Sequence, residues 1–198
     1  RSRAAAQVMP RKALLVLGMH RSGTSALTRV LSLCGAILPS HLMAGAPDDN
    51  PKGFWESLEI YHLNDAILAA AGSRWDDWDK VALDDIAPTV LSDFQRKALD
   101  ILHRDFATSD LFVLKDPRIS RLLPFWLPVL QQFDSAPQCL LAFRNPIEVA
   151  ASVHARDDIP PAKTHLVWLR HNLDVLHDSN DLPLATVSYA DLLTDFQA

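Results

Sequence analysis

Between residues 18 and 25 the chain reads Gly18-Met19-His20-Arg21-Ser22-Gly23-Thr24-Ser25. Two glycines, a cation between them and a run of hydroxyls are the residue types that hold a phosphate-like anion. Backbone N–H groups supply close donors, the guanidinium supplies charge, and the hydroxyls supply further hydrogen bonds. The spacing is that of a G-x-x-x-x-G phosphate loop, but Thr24 stands where the loop's lysine belongs and Ser25 takes the serine/threonine place. The cation has moved inside the loop, as Arg21. Such a loop lacks the lysine that magnesium-dependent ATPases and GTPases place at the β/γ-phosphates, and it suits a ligand with a less charged terminal group. A plain strand-to-helix turn is the alternative, although a turn needs neither an arginine nor the Ser-Gly-Thr-Ser run.

The flanking residues supply the elements that would position this loop. Leu14 to Leu17 is an uninterrupted apolar run, as in a buried parallel strand. A helix follows from Ser25, with Leu27, Val30, Leu31 and Cys34 on one face. The free N–H groups of its first turn and its dipole would face the loop. Three more short apolar runs end in polar residues: Leu111–Leu114 in Lys115-Asp116-Pro117-Arg118, Gln138–Phe143 in Arg144-Asn145-Pro146, and Leu184–Ser188 in Tyr189. Asn145 and Pro146 read as N-cap and first position of the next helix, which carries Ser152.

Between these runs the pattern is helical. A helix is expected from Glu56, with Ile60, Leu63, Ile67 and Leu68 inward and Gly72 ending it. Another is expected with Thr89 as its cap, and another over residues 162–178. Residues 38–53 and 73–85 read as loops. Strands alternating with helices predict an α/β/α sandwich around a central parallel sheet. Ligands of such sheets bind beyond the carboxyl ends of the strands, where Arg21, Lys115, Arg144 and Tyr189 would gather.

The 198 residues suffice for one domain, expected over 12–198 behind a tail at 1–11 and incomplete at its C-terminal end. Net charge is −5, which speaks against a nucleic-acid binder, so any anion site must be built from local cations. No apolar run reaches the length of a membrane span. The opening Arg1-Ser2-Arg3 lacks an initiator methionine and any long apolar stretch, so it reads as no signal peptide. Cys34 and Cys139 lie in apolar patterns and read as buried free thiols of a reducing compartment, which suggests a cytoplasmic protein.

Several of these separated motifs resemble the sulfotransferases that use 3′-phosphoadenosine-5′-phosphosulfate (PAPS), over roughly residues 12–196. The segment 18–25 is similar to that family's 5′-phosphosulfate loop, which implies donor contacts from His20, Arg21, Ser22, Gly23, Thr24 and Ser25. Arg144 followed eight positions later by Ser152 resembles its 3′-phosphate motif. Val187-Ser188-Tyr189-Ala190-Asp191-Leu192 resembles its segment near the adenine, which brings in Tyr189. Lys115-Asp116-Pro117 resembles the lysine segment of the carbohydrate and tyrosylprotein branches. The resemblance implies a P-loop α/β domain, transfer of a sulfuryl group to a hydroxyl or amine acceptor such as a carbohydrate or small molecule, and no metal requirement. Arg21 and Lys115 would stabilise the charge that develops. No histidine follows Lys115, so the base implied by those branches falls on Glu56; a first-turn acid favoured by the helix dipole is the other reading of that residue. His62 is a weaker candidate base, and Asp116 is expected to orient Arg118 or Lys115. Trp55, Trp75 and Trp78 fall on the expected acceptor side, as packing or as ring-stacking faces. Two further readings stay open: a P-loop kinase using Arg118, Arg121 and Arg144 on phosphates, and an inactive module that keeps the nucleotide site. The oligomeric state is not legible.

Overall fold

The structure is a computed structural model that describes residues 10–47 and 49–194. Four strands, β1 (Arg11–Leu17), β2 (Leu111–Lys115), β3 (Ser135–Phe143) and β4 (Leu184–Ser188), form one parallel sheet in the order β2-β1-β3-β4. Among the described residues seven α-helices connect and cover it: α1 (Thr24–Leu33), α2 (Leu58–Ala70), α3 (Pro88–Phe106), α4 (Leu123–Gln132), α5 (Pro146–Asp157), α6 (Pro161–Asp178) and α7 (Tyr189–Thr194). The expected α/β architecture is therefore present.

The strands are apolar throughout because both faces of the sheet are covered. Side chains alternate between faces. From β1, Ala13, Leu15 and Leu17 join the large core with Phe112, Leu114, Cys139 and Leu141, under α2, α3 and α4. Val16 faces the other way, with Val113 and Ala142, under Leu27 of α1 and Leu192 of α7. Burial drives this assembly, at about 25 cal/mol per Å² of apolar surface removed from water.

All four strands point the same way, so their carboxyl ends share one edge. The chain leaves β1 for β2 on one side and returns to β3 on the other. This reversal opens a crevice beside β1, where ligands of doubly wound sheets bind. Register fixes the neighbours: Val16 lies beside Lys115, Leu17 beside Leu141, and Phe143 beside Ser188.

Several local expectations are corrected. Arg11 belongs to β1, not to a tail, and its guanidinium donates to Phe133 and Ala107 carbonyls. The helix expected from Glu56 begins at Leu58, because Ser57 adopts extended dihedrals and its hydroxyl accepts the Ile60 N–H. Glu56 is thus not a first-turn acid; Glu59 is. Thr89 does not cap α3; Pro88 opens that helix and no side chain caps it. Cys34 ends α1 and is exposed, whereas Cys139 is buried, its thiol pushed up to about 11 by burial. Among the described residues no helix is long and apolar enough to cross a membrane.

Candidate active site

The loop leaves β1 through two glycines whose positive φ and close neighbours disfavour any side chain. Gly18 has φ 129°, and a Cβ there would stand 2.6 Å from the Ala142 carbonyl oxygen. Gly23 has φ 89°, and a Cβ there would run into the ring of Tyr189. Between them Arg21 holds φ 68°, an uncommon conformation for a residue with a side chain. Long-range contacts impose it. The Gly18 N–H donates to Ser120 Oγ at 2.8 Å, and Arg144 Nη1 donates to the Arg21 carbonyl at 3.0 Å. Arg21 Nε donates to Ser152 Oγ at 2.8 Å.

Gly23 is the N-cap of α1, with no side-chain cap and no acidic residue in the first turn. The first N–H groups of the helix, with the positive end of its dipole, therefore open onto the cleft. Such an end is a ready anion site. The cation missing at position 24 arrives from the neighbouring strand. Lys115 Nζ, nearly buried, donates to Ser25 Oγ at 3.0 Å and to the Phe54 carbonyl at 2.9 Å, and it pairs with Glu56 Oε1.

Glu56 reaches this point from the extended stretch before α2, directly after Trp55. Trp55 has φ 58°, a conformation that a bulky side chain adopts only under constraint. Its ring lies 4.6 Å from the Arg29 guanidinium carbon. Burial pushes the Glu56 carboxyl above the usual range, Lys115 opposes this, and nearby Asp116 adds to it. A buried carboxyl beside an ammonium and a cleft is the arrangement expected of an acid–base group.

The cleft holds about 950 Å³. Seven lysines and arginines line it against three aspartates and glutamates, so it is locally cationic in a chain of net charge −5. His20, Arg21, Gly23, Thr24, Ser25, Glu56, Lys115, Arg144 and Tyr189 all line it. The Arg144 guanidinium stacks over Tyr189 at 4.7 Å and also pairs with Glu148 at 2.9 Å. Two residues named from the sequence stand apart. Ser22 is buried, its N–H committed to the Met19 carbonyl at 3.2 Å. Ser152 braces Arg21 from behind and is not part of the lining.

Other expectations sort just as plainly. His62 is exposed and outside the cleft. Asp116 is fully buried and accepts from the Arg118 N–H, Arg118 Nη1 and Asn64 Nδ2, so it orients Arg118. Arg121 is not a phosphate ligand: it pairs with Asp174 at 2.7 Å and donates to the Asp77 and Asp79 carbonyls. Trp55 and Trp75 line the cleft, Trp126 is core, and Trp78 is exposed.

The sequence reading missed several polar cleft residues, among them Arg29, Asp49, Asn50, Lys52, Arg156 and Asp157. The one signal was Asp48-Asp49-Asn50, which reads as a turn. It also missed a buried partner of His20. The His20 ring lies 4.5 Å from that of Trp75 and 6.3 Å from that of His171. His171 hydrogen-bonds the Val167 carbonyl through Nδ1 at 2.9 Å, so its Nε2 is an acceptor with no donor among the described residues. Burial lowers the His171 pKa to about 3 and holds His20 well below its usual value, with Arg118 adding to the effect at His20.

No protein-family model matches the sequence, and no curated protein matches it significantly. Solved structures do. The sulfotransferase domain from the curacin biosynthetic pathway superposes with TM-score 0.52 at 19% identity, over 94% of this chain and 70% of that one. The sulfotransferase domain from the Synechococcus PCC 7002 olefin synthase gives TM-score 0.52 at 18% identity, over 100% and 73%. The class defined by fold and site is thus a parallel α/β domain with a glycine loop at the carboxyl edge of its sheet, similar in fold to sulfotransferase domains.

Proposed function

We propose that this chain transfers a sulfuryl group from PAPS to an acceptor hydroxyl or amine, with carbohydrate hydroxyls the first class to test. The observation that carries this reading is Lys115, whose ammonium joins Ser25 on the uncapped first turn of α1 to the buried carboxyl of Glu56. One cleft thereby holds an anion cradle, a cation at the reacting position and a base. The likeness to two sulfotransferase folds supports it.

PAPS carries two anionic groups separated by a ribose. The loop N–H groups, Arg21 and Ser25 would hold the 5′-phosphosulfate. Arg144, spread over Tyr189, would hold the 3′-phosphate. The acceptor oxygen attacks sulfur in line and its proton passes to Glu56. The new S–O bond forms as the bond from sulfur to the bridging oxygen breaks, and adenosine 3′,5′-bisphosphate leaves with the electron pair. Lys115 stabilises the charge growing on that bridging oxygen. A carboxyl raised by burial is a better proton acceptor than an exposed one. Asp116 has its oxygens committed to Arg118 and Asn64, and this favours the sulfuryl reading over a kinase in which Asp116 would hold magnesium.

The test is calorimetric titration with adenosine 3′,5′-bisphosphate, AMP and ATP with magnesium, followed by transfer from PAPS to an acceptor panel. Preference for the bisphosphate is expected. Preference for ATP with magnesium would favour the kinase, and bisphosphate binding with no transfer to any acceptor would favour a binding module. Glu56→Gln should lower turnover on the order of 10²–10⁴-fold and leave bisphosphate affinity within about twofold.

A further inference from the structure

The loop before α2 carries a small closed tongue. Ala46 and Asn50 exchange backbone hydrogen bonds, at 2.8 and 3.3 Å, and the Asp49 N–H adds a bond to the Ala46 carbonyl at 3.2 Å. Two side chains of the tongue reach across the cleft. Asn50 Nδ2 donates to Ser25 Oγ at 3.2 Å. Asp49 spans two arginines: Oδ1 pairs with Arg21 Nη1, and Oδ2 lies 3.6 Å from Arg156 Nη1. Arg21 sits in the phosphate loop and Arg156 in the last turn of α5, 135 residues apart in sequence. Each is braced by a second partner, Arg21 by Ser152 at 2.8 Å and Arg156 by Asp157, itself at the cleft, at 2.7 Å.

We infer that Arg21 and Arg156 form an oxyanion subsite of the cleft, occupied by the chain's own Asp49 carboxylate, and that a phosphate or sulfate group binds there by displacing it. The carboxylate gives one oxygen to each guanidinium. A tetrahedral oxyanion spans the same two groups with more oxygens and more charge. Both braces hold the guanidinium groups in place when Asp49 leaves, so the subsite is preorganised. The second anchor of the tongue rests on Ser25, which the ligand also needs. One anion therefore competes with both attachments, and the tongue swings out as a unit. This rests on reading the cleft as a polyanion site, and it adds Arg156 and Asp49 to the residues that set affinity there.

The experiment titrates the whole chain with inorganic pyrophosphate and with inorganic sulfate, neither of which needs an adenosine pocket. Asp49→Asn should bind pyrophosphate about 1.5- to fivefold more tightly than the wild type, the range of one solvent-screened ion pair released. Adding Arg156→Ala to that variant should remove the gain. Hydrogen exchange at residues 45–53 should rise when pyrophosphate binds, while the first turn of α1 becomes protected. Equal or weaker binding by Asp49→Asn overturns the proposal and makes Asp49 a support for Arg21. Protection of 45–53 on binding also overturns it, because the tongue then closes over the anion. Sulfate displaced by adenosine 3′,5′-bisphosphate assigns the subsite to the donor; sulfate bound beside it assigns it to an anionic acceptor. A gain for pyrophosphate in a protein with no preference for the bisphosphate keeps the subsite and removes the sulfotransferase reading.

Discussion

Two sets of arginines lie within one domain and have opposite surroundings. Arg118 and Arg121 follow β2 in a short 3₁₀ turn, Pro117–Arg121, and both are buried. Arg121 is enclosed by Asp174 and two carbonyls. Arg118 pairs with Asp116 and Asp65 and stacks on Tyr61 at 4.3 Å. Arg21, Arg144 and Arg156 sit around the loop and have partners too, but 23–28% of each side chain stays exposed, against 4% for Arg118 and none for Arg121. A guanidinium closed in among its partners is part of the fold, even where, as at Arg118, it edges the cleft. One left partly open to the cleft has an edge to offer a ligand. Residue type and partner number do not separate these cases; burial does.

Four substitutions or conditions would break or sharpen this contrast. Arg121→Leu should cost about 3–5 kcal/mol of stability, because it leaves Asp174 buried without its main partner. Urea denaturation measures that loss, and ligand affinity of the folded fraction should not change. Lys115→Ala should lower turnover about 10²–10³-fold, the range for removing one preorganised charge-stabilising donor. Steady-state and single-turnover rates check it, with adenosine 3′,5′-bisphosphate binding as the control.

The third is a pH effect. His171 titrates near 6.5 when unfolded and at about 3 in the folded protein, so over that window the unfolded state binds the extra proton. Stability should therefore fall as pH drops through 6.5 and go on falling toward 3. The loss between pH 7 and 5 should be about 2 kcal/mol from this one group. Urea midpoints at the two pH values should show it, with a flatter slope in His171→Gln. The smallest effect belongs to the cleft set. Arg144→Ala should weaken bisphosphate binding about tenfold, the value of one charge-assisted hydrogen bond, and shift the unfolding midpoint little. A large loss of stability there would erase the distinction between the two sets.

Much of this arrangement was legible before any coordinates. Four apolar runs, each followed by polar residues, give a parallel sheet whose carboxyl edge carries Arg21, Lys115, Arg144 and Tyr189. These runs are local patterns and can be read locally. Helix starts were less legible. A glutamate at position 56 looks like a first-turn acid until Ser57 takes the cap, and the two readings differ by one pair of dihedrals. Cys34 fits the apolar stripe of α1, but the helix stops beneath it. The function of each arginine was the least legible. Arg121 and Arg144 both follow strands closely, and only the tertiary partners, Asp174 for one and Tyr189 for the other, separate them. Asp49 was hidden for the same reason: a turn aspartate shows no sign of the two arginines it will meet.

The braces of the loop also bear on when the protein can first hold an anion during its synthesis. Gly18 waits for Ser120, 102 residues later; Arg21 waits for Arg144 and Ser152, 123 and 131 residues later. The loop is made before its supports and shaped only after them. Contacts this distant in sequence form slowly, because the long loop between them must close first. A nascent chain ending before β3 would carry the whole glycine loop and still lack Arg144 and Ser152, two of the residues that hold Arg21. Affinity for anion should therefore appear in a single step, once β3 and α5 have docked, and ligand present during refolding should act on the finished domain alone.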